Sequence, residues 1–144
     1  MDRLKQVDFS ELRSAATAVL APTELNRNVA FGSVAAAILS QSGAVYTGIC
    51  LDTACSLGFC AEHAAVAEML KHGEYQIRAC VAVNRLGQAI PPCGRCRELL
   101  SQLSQDNLNA EIEISNGQIL SLEQLLPFDW KTTQRLKPQM LSTD

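Results

Sequence analysis

Residues 60–103 read CAEHAAVAEMLKHGEYQIRACVAVNRLGQAIPPCGRCRELLSQL, and this stretch decides the fold. Cys60 to His72 is dominated by Ala, Glu, Met and Leu, which favour helix, and Gly73 stands where a helix C-terminus is expected. Ile77 to Val83 is a short apolar run with strand character. Asn84 to Pro92 holds Gly87 and two prolines, which predicts a loop. Cys93 to Leu103 reads as a second helix with Leu99, Leu100 and Leu103 on one side. The unit is helix, strand, helix, and cysteines stand where a loop enters each helix.

Working outward, Ser10 to Leu20 has apolar residues at Leu12, Ala15, Ala16, Val19 and Leu20, a helical spacing stopped by Pro22. Ser33 to Leu39 and Val45 to Leu51 flank the turn residues Ser42-Gly43 and predict a hairpin. On the other side, Glu111 to Ile114 alternates charge with isoleucine, the pattern of an exposed edge strand. Asn116-Gly117 is a preferred two-residue hairpin turn. Ser121 to Leu126 predicts a short helix, with Ser121 as N-cap and Gln124 three residues on. The tail from about residue 131 is polar and expected to be loosely held. Strands alternating with helices of these lengths imply an α/β fold, a mixed sheet of about five strands covered by helices.

The chain has 144 residues, enough for a single domain spanning 1–144 and little more. Apolar residues make up 47% and charged residues 19%, as expected of a soluble domain with a proper core. No run approaches the ~20 apolar residues a membrane span needs. Met1 to Lys5 is polar and lacks the apolar segment of a secretory signal, so a cytoplasmic location is expected. The net charge is -3 and the basic residues are scattered, which argues against nucleic acid as partner. In a reducing compartment, clustered cysteines point to metal or chemistry before disulfides.

Two pieces then stand out: Cys60-Ala61-Glu62 and Pro92-Cys93-Gly94-Arg95-Cys96. Three protein ligands with one open position is the arrangement of a catalytic zinc, whereas structural sites usually have four. Helix N-termini stabilise the thiolates that a metal requires. Cys93 and Cys96 lie one helical turn apart, so both can face one ion. Glu62 can reach a metal-held water without being a ligand. Taken alone, Cys93-Gly-Arg-Cys96 also fits a redox pair, a reading that leaves Cys60 and Glu62 unexplained.

The joint pattern resembles the motif of zinc-dependent deaminases of the cytidine deaminase superfamily, in its three-cysteine form. The likeness runs from about Ser33 to about Trp130, and Ala44 to Gly48 resembles the strand before the pocket of small nucleoside deaminases. The resemblance implies a three-layer α-β-α fold and a homotetramer. It implies Zn2+ on Cys60, Cys93 and Cys96, with Glu62 as the proton carrier. The activity implied is hydrolysis of cytidine and deoxycytidine to uridine and deoxyuridine with release of ammonia, as in pyrimidine salvage. It further implies a contact from the Ala61 backbone N–H to the pyrimidine carbonyl.

A zinc with three thiolates carries net negative charge, and a cation near the sulfurs would offset their donation; Arg95, between two ligands, is the candidate. Blasticidin S deaminases resemble this sequence in that arginine. Cytidine deaminases usually carry Asn-x-Glu for the ribose hydroxyls, and the matching segment here is Cys50-Leu51-Asp52. Ser33 stands at the place of the family's pocket phenylalanine. Phe128 and Trp130 match C-terminal aromatics that close a pocket, often the neighbour's, although chain-end packing explains them equally. These departures keep a second substrate open, a modified cytosine nucleoside such as blasticidin S, and a non-catalytic zinc-binding module is the alternative from another class. His63 reads as a packed or outer-contact histidine and His72 as helix-terminal surface. Cys50, Cys55 and Cys80 read as small buried apolar residues.

Overall fold

The structure, a computed structural model, describes residues 5–131. Helix α1 spans Phe9–Ala18, and the Asp8 side chain caps it by accepting from the Glu11 N–H at 3.1 Å. Strands β1 (Thr23–Asn26), β2 (Val29–Ser40) and β3 (Val45–Thr53) follow. Then come α2 (Ala61–Lys71), β4 (Ile77–Val83), β5 (Ala89–Ile90) and α3 (Gly94–Leu103). The described chain closes with β6 (Glu111–Ser115), β7 (Gln118–Ser121) and α4 (Leu122–Leu125).

The sheet is mixed. Across the sheet the strands run β3-β2-β4-β6-β7; β4 and β6 are parallel and the other neighbours antiparallel. Short β1 pairs with the first residues of β2, and short β5 with the last residues of β4. Strand alternation sends side chains to two faces. On one face Ala35, Ala37, Ala79, Val81 and Val83 pack with Phe9, Leu12 and Ala16 of α1. On the other, Ile38, Cys80 and Ile112 pack with Ala65, Val66 and Met69 of α2, Leu100 of α3 and Leu122 of α4. This is a three-layer α-β-α arrangement.

Small residues set how close α2 comes to the sheet. Ala36, Ala82 and Cys50 lie under Ala61, the first residue of α2. A Cβ on Gly48 would stand 2.3 Å from the Ala65 nitrogen and 2.6 Å from the Ala61 oxygen. The alanine-rich face of α2 is therefore sheet-facing core at Ala61 and Ala65, both fully buried.

Several expectations need correction. Glu111 to Ile114 is not an edge strand: β6 lies between β4 and β7, and Glu113 is fully buried. Its charge is met by Arg13 of α1 and by the Gly117 N–H at 2.8 Å. Cys55 is exposed, in a 3-10 turn at Ala54–Ser56 where it takes φ 61. The 84–92 loop contains β5, and β2 begins at Val29, ahead of Ser33. The capping box at Ser121 and Gln124 is present, with bonds of 2.8 and 3.1 Å. The expectation for the polar tail falls outside the described residues.

Candidate active site

Cys60 and Cys93 are the N-cap residues of α2 and α3, both in extended backbone and neither using its side chain as a cap. Their sulfurs are thus free to face each other. Cys60 is delivered to the site by β3, because Leu51 exchanges both backbone hydrogen bonds with Phe59, at 3.0 and 2.9 Å. Gly58 allows that approach: a Cβ there would lie 2.0 Å from the Leu51 oxygen. Cys96 follows on the first turn of α3 and is fully buried.

The Cys60 and Cys93 sulfurs are 3.5 Å apart, and those of Cys93 and Cys96 are 3.6 Å apart. All three lie within 4.8 Å of one another, and they are the three-donor cluster found among the described residues. Tetrahedral zinc with Zn–S bonds of about 2.3 Å sets its sulfurs about 3.8 Å apart, so the donor set fits that ion. Its electrostatics agree. Burial and the neighbouring Cys93 thiol push Cys60 up. Burial, the Glu62 charge and the other thiols push Cys96 up. Burial also acts to raise Cys93, but backbone N–H groups of Cys96 and Arg95 and the adjacent thiols outweigh it and hold Cys93 down. Three sulfurs and a carboxylate packed this closely repel one another as anions, a repulsion that a bound cation would relieve.

Glu62 is in the first turn of α2, 4% exposed, with Oε2 accepting from the Cys96 thiol at 3.4 Å. Burial raises its carboxyl above the ordinary range, only partly countered by its backbone N–H and by Cys96. His63 Nδ1 stands 3.6 Å from the Cys96 sulfur, and burial followed by the Arg95 charge lowers its basicity. Among the described residues, the Arg95 guanidinium makes no hydrogen bond to a sulfur; its side chain is exposed and lines the cavity.

A cavity of about 510 Å³ opens onto the cluster. Ser33, Cys50, Asp52, Ala61, Glu62, Cys60, Cys93 and Arg95, all anticipated in the sequence, line it together. Phe128 and Trp130 do not; they are 87% and 66% exposed. Thr53, Ser56, Phe59, Ile90 and Pro91 also line the cavity without having been singled out. Only proximity in sequence to Asp52, Cys60 and Cys93 could have suggested them.

Residues 11–111 match the family described as the cytidine and deoxycytidylate deaminase zinc-binding region. The chain belongs to this family. It is accordingly a deaminase, a hydrolase acting on C–N bonds. The cytidine deaminase of Halalkalibacterium halodurans is 29% identical over 97 residues, covering 65% of this chain and 74% of the relative. The crystal structure of the Mycobacterium tuberculosis cytidine deaminase superposes with a TM-score of 0.73 at 30% identity, over 87% of this chain and 98% of that one. That of the Burkholderia pseudomallei cytidine deaminase gives 0.69 at 26% identity, over 86% and 100%. No described helix of this deaminase is long and apolar enough to cross a membrane.

Proposed function

We propose that this deaminase hydrolyses cytidine and deoxycytidine to uridine and deoxyuridine with release of ammonia, in dependence on Zn2+ held by Cys60, Cys93 and Cys96. The observation that carries this is buried Glu62 placed against the sulfur cluster at the floor of the cavity. When bound, zinc acidifies water and so supplies a hydroxide nucleophile near neutral pH. Glu62 takes the proton that water gives up and delivers it to the ring nitrogen beside the amino-bearing carbon. The water oxygen adds to the amino-bearing carbon, and Glu62 then takes the remaining proton of the new hydroxyl and passes it to the amino group, so that ammonia leaves as the C–N bond breaks and the carbonyl of the product forms. The burial of Glu62 suits this exchange, because a carboxyl raised towards neutrality both accepts and returns a proton. The Ala61 N–H orients the pyrimidine carbonyl, and Asp52 with Ser33 and Cys50 forms the polar wall for the sugar. His63, and Arg95 through its charge, draw on the sulfurs.

A second reading rests on one observation. The proposed sugar wall carries a thiol and a hydroxyl, Cys50 and Ser33, in contact at 3.4 Å, in place of the family's amide and phenylalanine, which keeps open a modified cytosine nucleoside such as blasticidin S. The same proposal has the single domain of residues 1–144 acting as a homotetramer in cytoplasmic pyrimidine salvage. The free cysteines of the described residues support the reducing compartment. Exposed Phe128 and Trp130 support burial against a neighbouring copy. Sedimentation should then give a particle of four 15.6 kDa subunits.

The test is ammonia release from zinc-loaded protein against cytidine, deoxycytidine, cytosine and blasticidin S. Glu62→Gln should keep stoichiometric zinc and lose about 10²–10⁴-fold in kcat, the usual worth of positioned proton transfer. A variant that keeps full turnover would sink the role of Glu62, and a wild-type protein that binds zinc but turns over none of the four compounds would overturn the proposed substrates and move the search to other aminated heterocycles.

A further inference from the structure

Arg97 follows the ligand cysteines on α3 and is half-buried. Its side chain has no part in the cavity, yet three of its N–H groups are committed to backbone carbonyls. Nε donates to the Pro92 carbonyl at 2.8 Å. The Arg97 backbone N–H donates to the Cys93 carbonyl at 3.0 Å. Nη1 donates to the Leu125 carbonyl at 3.1 Å. The first two carbonyls flank Cys93 on either side. The Pro92–Cys93 peptide is planar, so fixing the Pro92 oxygen also fixes the Cys93 nitrogen and Cα. Pro92 itself is buried and has no N–H of its own to pin this loop. The bond to the Cys93 carbonyl is the first backbone bond of α3, which other residues at 97 would also make, so the hold that the Arg97 side chain itself has on Cys93 is the Nε bond to the Pro92 carbonyl.

The third bond reaches a different element. Leu125 is the last residue of α4, and its carbonyl is among those a helix end leaves without an intrahelical partner. The neighbouring chain is held on α3 as well: Glu98 Oε2 accepts from the Trp130 N–H at 3.3 Å, and Ser101 Oγ accepts from Lys131 Nζ at 2.8 Å. A rigid guanidinium fork can hold the Pro92 and Leu125 oxygens at once, whereas a single ammonium cannot keep that two-point geometry.

We infer that Arg97 is a positioning residue of the metal centre, its side chain fixing Cys93 through the preceding Pro92 carbonyl and coupling that ligand to the segment that begins at Leu125. The inference rests on Cys93 being a metal ligand. It concerns retention of the ion and not the proton chemistry, which Glu62 carries.

The experiment compares zinc-loaded wild-type, Arg97→Lys and Arg97→Ala proteins. Zinc release to a chromophoric chelator is followed, and melting temperatures are measured with and without zinc. Arg97→Ala should release zinc about tenfold faster, the lower end of what loss of an outer contact costs in metal affinity. The rise in melting temperature on adding zinc should shrink. Arg97→Lys should fall between the two. Unchanged release, with zinc-free and zinc-loaded melting lowered equally, would make Arg97 a plain structural tie and overturn the inference. If Arg97→Ala does not fold, Arg97→Lys carries the comparison, and wild-type release from it overturns the inference. A wild-type protein that binds no stoichiometric zinc fails earlier, at the reading of the ligands themselves.

Discussion

Cys50 shows how much a single side chain does at the cavity wall. It is 7% exposed, and its sulfur stands 3.3 Å from the Val34 N–H and 3.4 Å from Ser33 Oγ. Its own S–H is directed to Asp52 Oδ2 at 3.8 Å, a long contact even for sulfur. The thiol thus faces the carboxylate of the proposed sugar wall and leaves Asp52 with lone pairs that a substrate hydroxyl could use. A carboxylate at that end repels phosphate, which suits a nucleoside better than a nucleotide. If this wall binds the sugar and not the reacting ring, its loss should weaken substrate and transition state alike. Asp52→Asn is expected to raise KM for cytidine by about 10–100-fold, the worth of a charged hydrogen bond, with little change in kcat. Cys50→Ala should raise KM by about fivefold, the worth of an ordinary one. Steady-state kinetics separate the two parameters. A fall in kcat at constant KM would move Asp52 from the sugar wall to the chemistry.

At the scale of elements, the site depends on α2 lying unusually close to β3. Gly48 makes this possible, since a side chain there would meet the backbone of Ala61 and Ala65. Gly48→Ala should destabilise by about 1–3 kcal/mol, the usual range for overpacking, and displace the turn that carries Glu62. Urea unfolding reads the first effect and kcat the second; unaltered values for both would show that the helix yields without cost. The sheet end opposite the site carries a different tie. Ser40 Oγ donates to Glu74 Oε1 at 3.1 Å, and the Tyr46 hydroxyl donates to Oε2. Bonds from Ser42 first, then Tyr46 and Ser40, hold the Glu74 carboxyl below its ordinary range. A depressed carboxyl adds stability above its unfolded pKa, and that stability is lost as pH falls through the folded value. Wild type and Glu74→Gln should therefore differ in melting temperature at pH 7 and converge below about pH 4. A gap that persists into acid would assign the effect to packing.

These elements also show what could be read beforehand and why. The Cys60 and Cys93 helices, the Ile77–Val83 strand and the sulfur cluster were legible because periodicity, helix starts and ligand spacing are local signals. The Ser121 capping box was legible for the same reason. Glu113 misled, because alternation with isoleucine looks like an edge strand unless Arg13, a hundred residues away in sequence, is known to meet the charge. Cys55 misled because its exposure follows from a left-handed turn that sequence composition does not report. The tie from the Arg97 side chain to the Pro92 and Leu125 carbonyls was not legible either, since the positions of those carbonyls depend on loop and tertiary geometry.

For the whole molecule, the sulfur cluster and the core are separate supports. Among the described residues three apolar clusters fill the space between sheet and helices, and none of them contains Cys60, Cys93 or Cys96. Arg13 and Glu113 further tie α1 to the sheet on the face away from the cluster. Zinc would join only the starts of α2 and α3, two elements already seated on the sheet by Ala65, Met69 and Leu100. The consequence differs from that for small zinc modules, which lack a core and unfold without metal. Removing zinc with a chelator should leave the far-UV dichroism and a single cooperative unfolding transition. The melting temperature should fall, because a ligand that binds only the folded state stabilises it by mass action. Activity should vanish, and zinc should restore both. Calorimetry with and without chelator checks this. Loss of the cooperative transition would mean that the sulfur cluster is part of the core, and an unmoved melting temperature would mean that Cys60, Cys93 and Cys96 hold no metal at all.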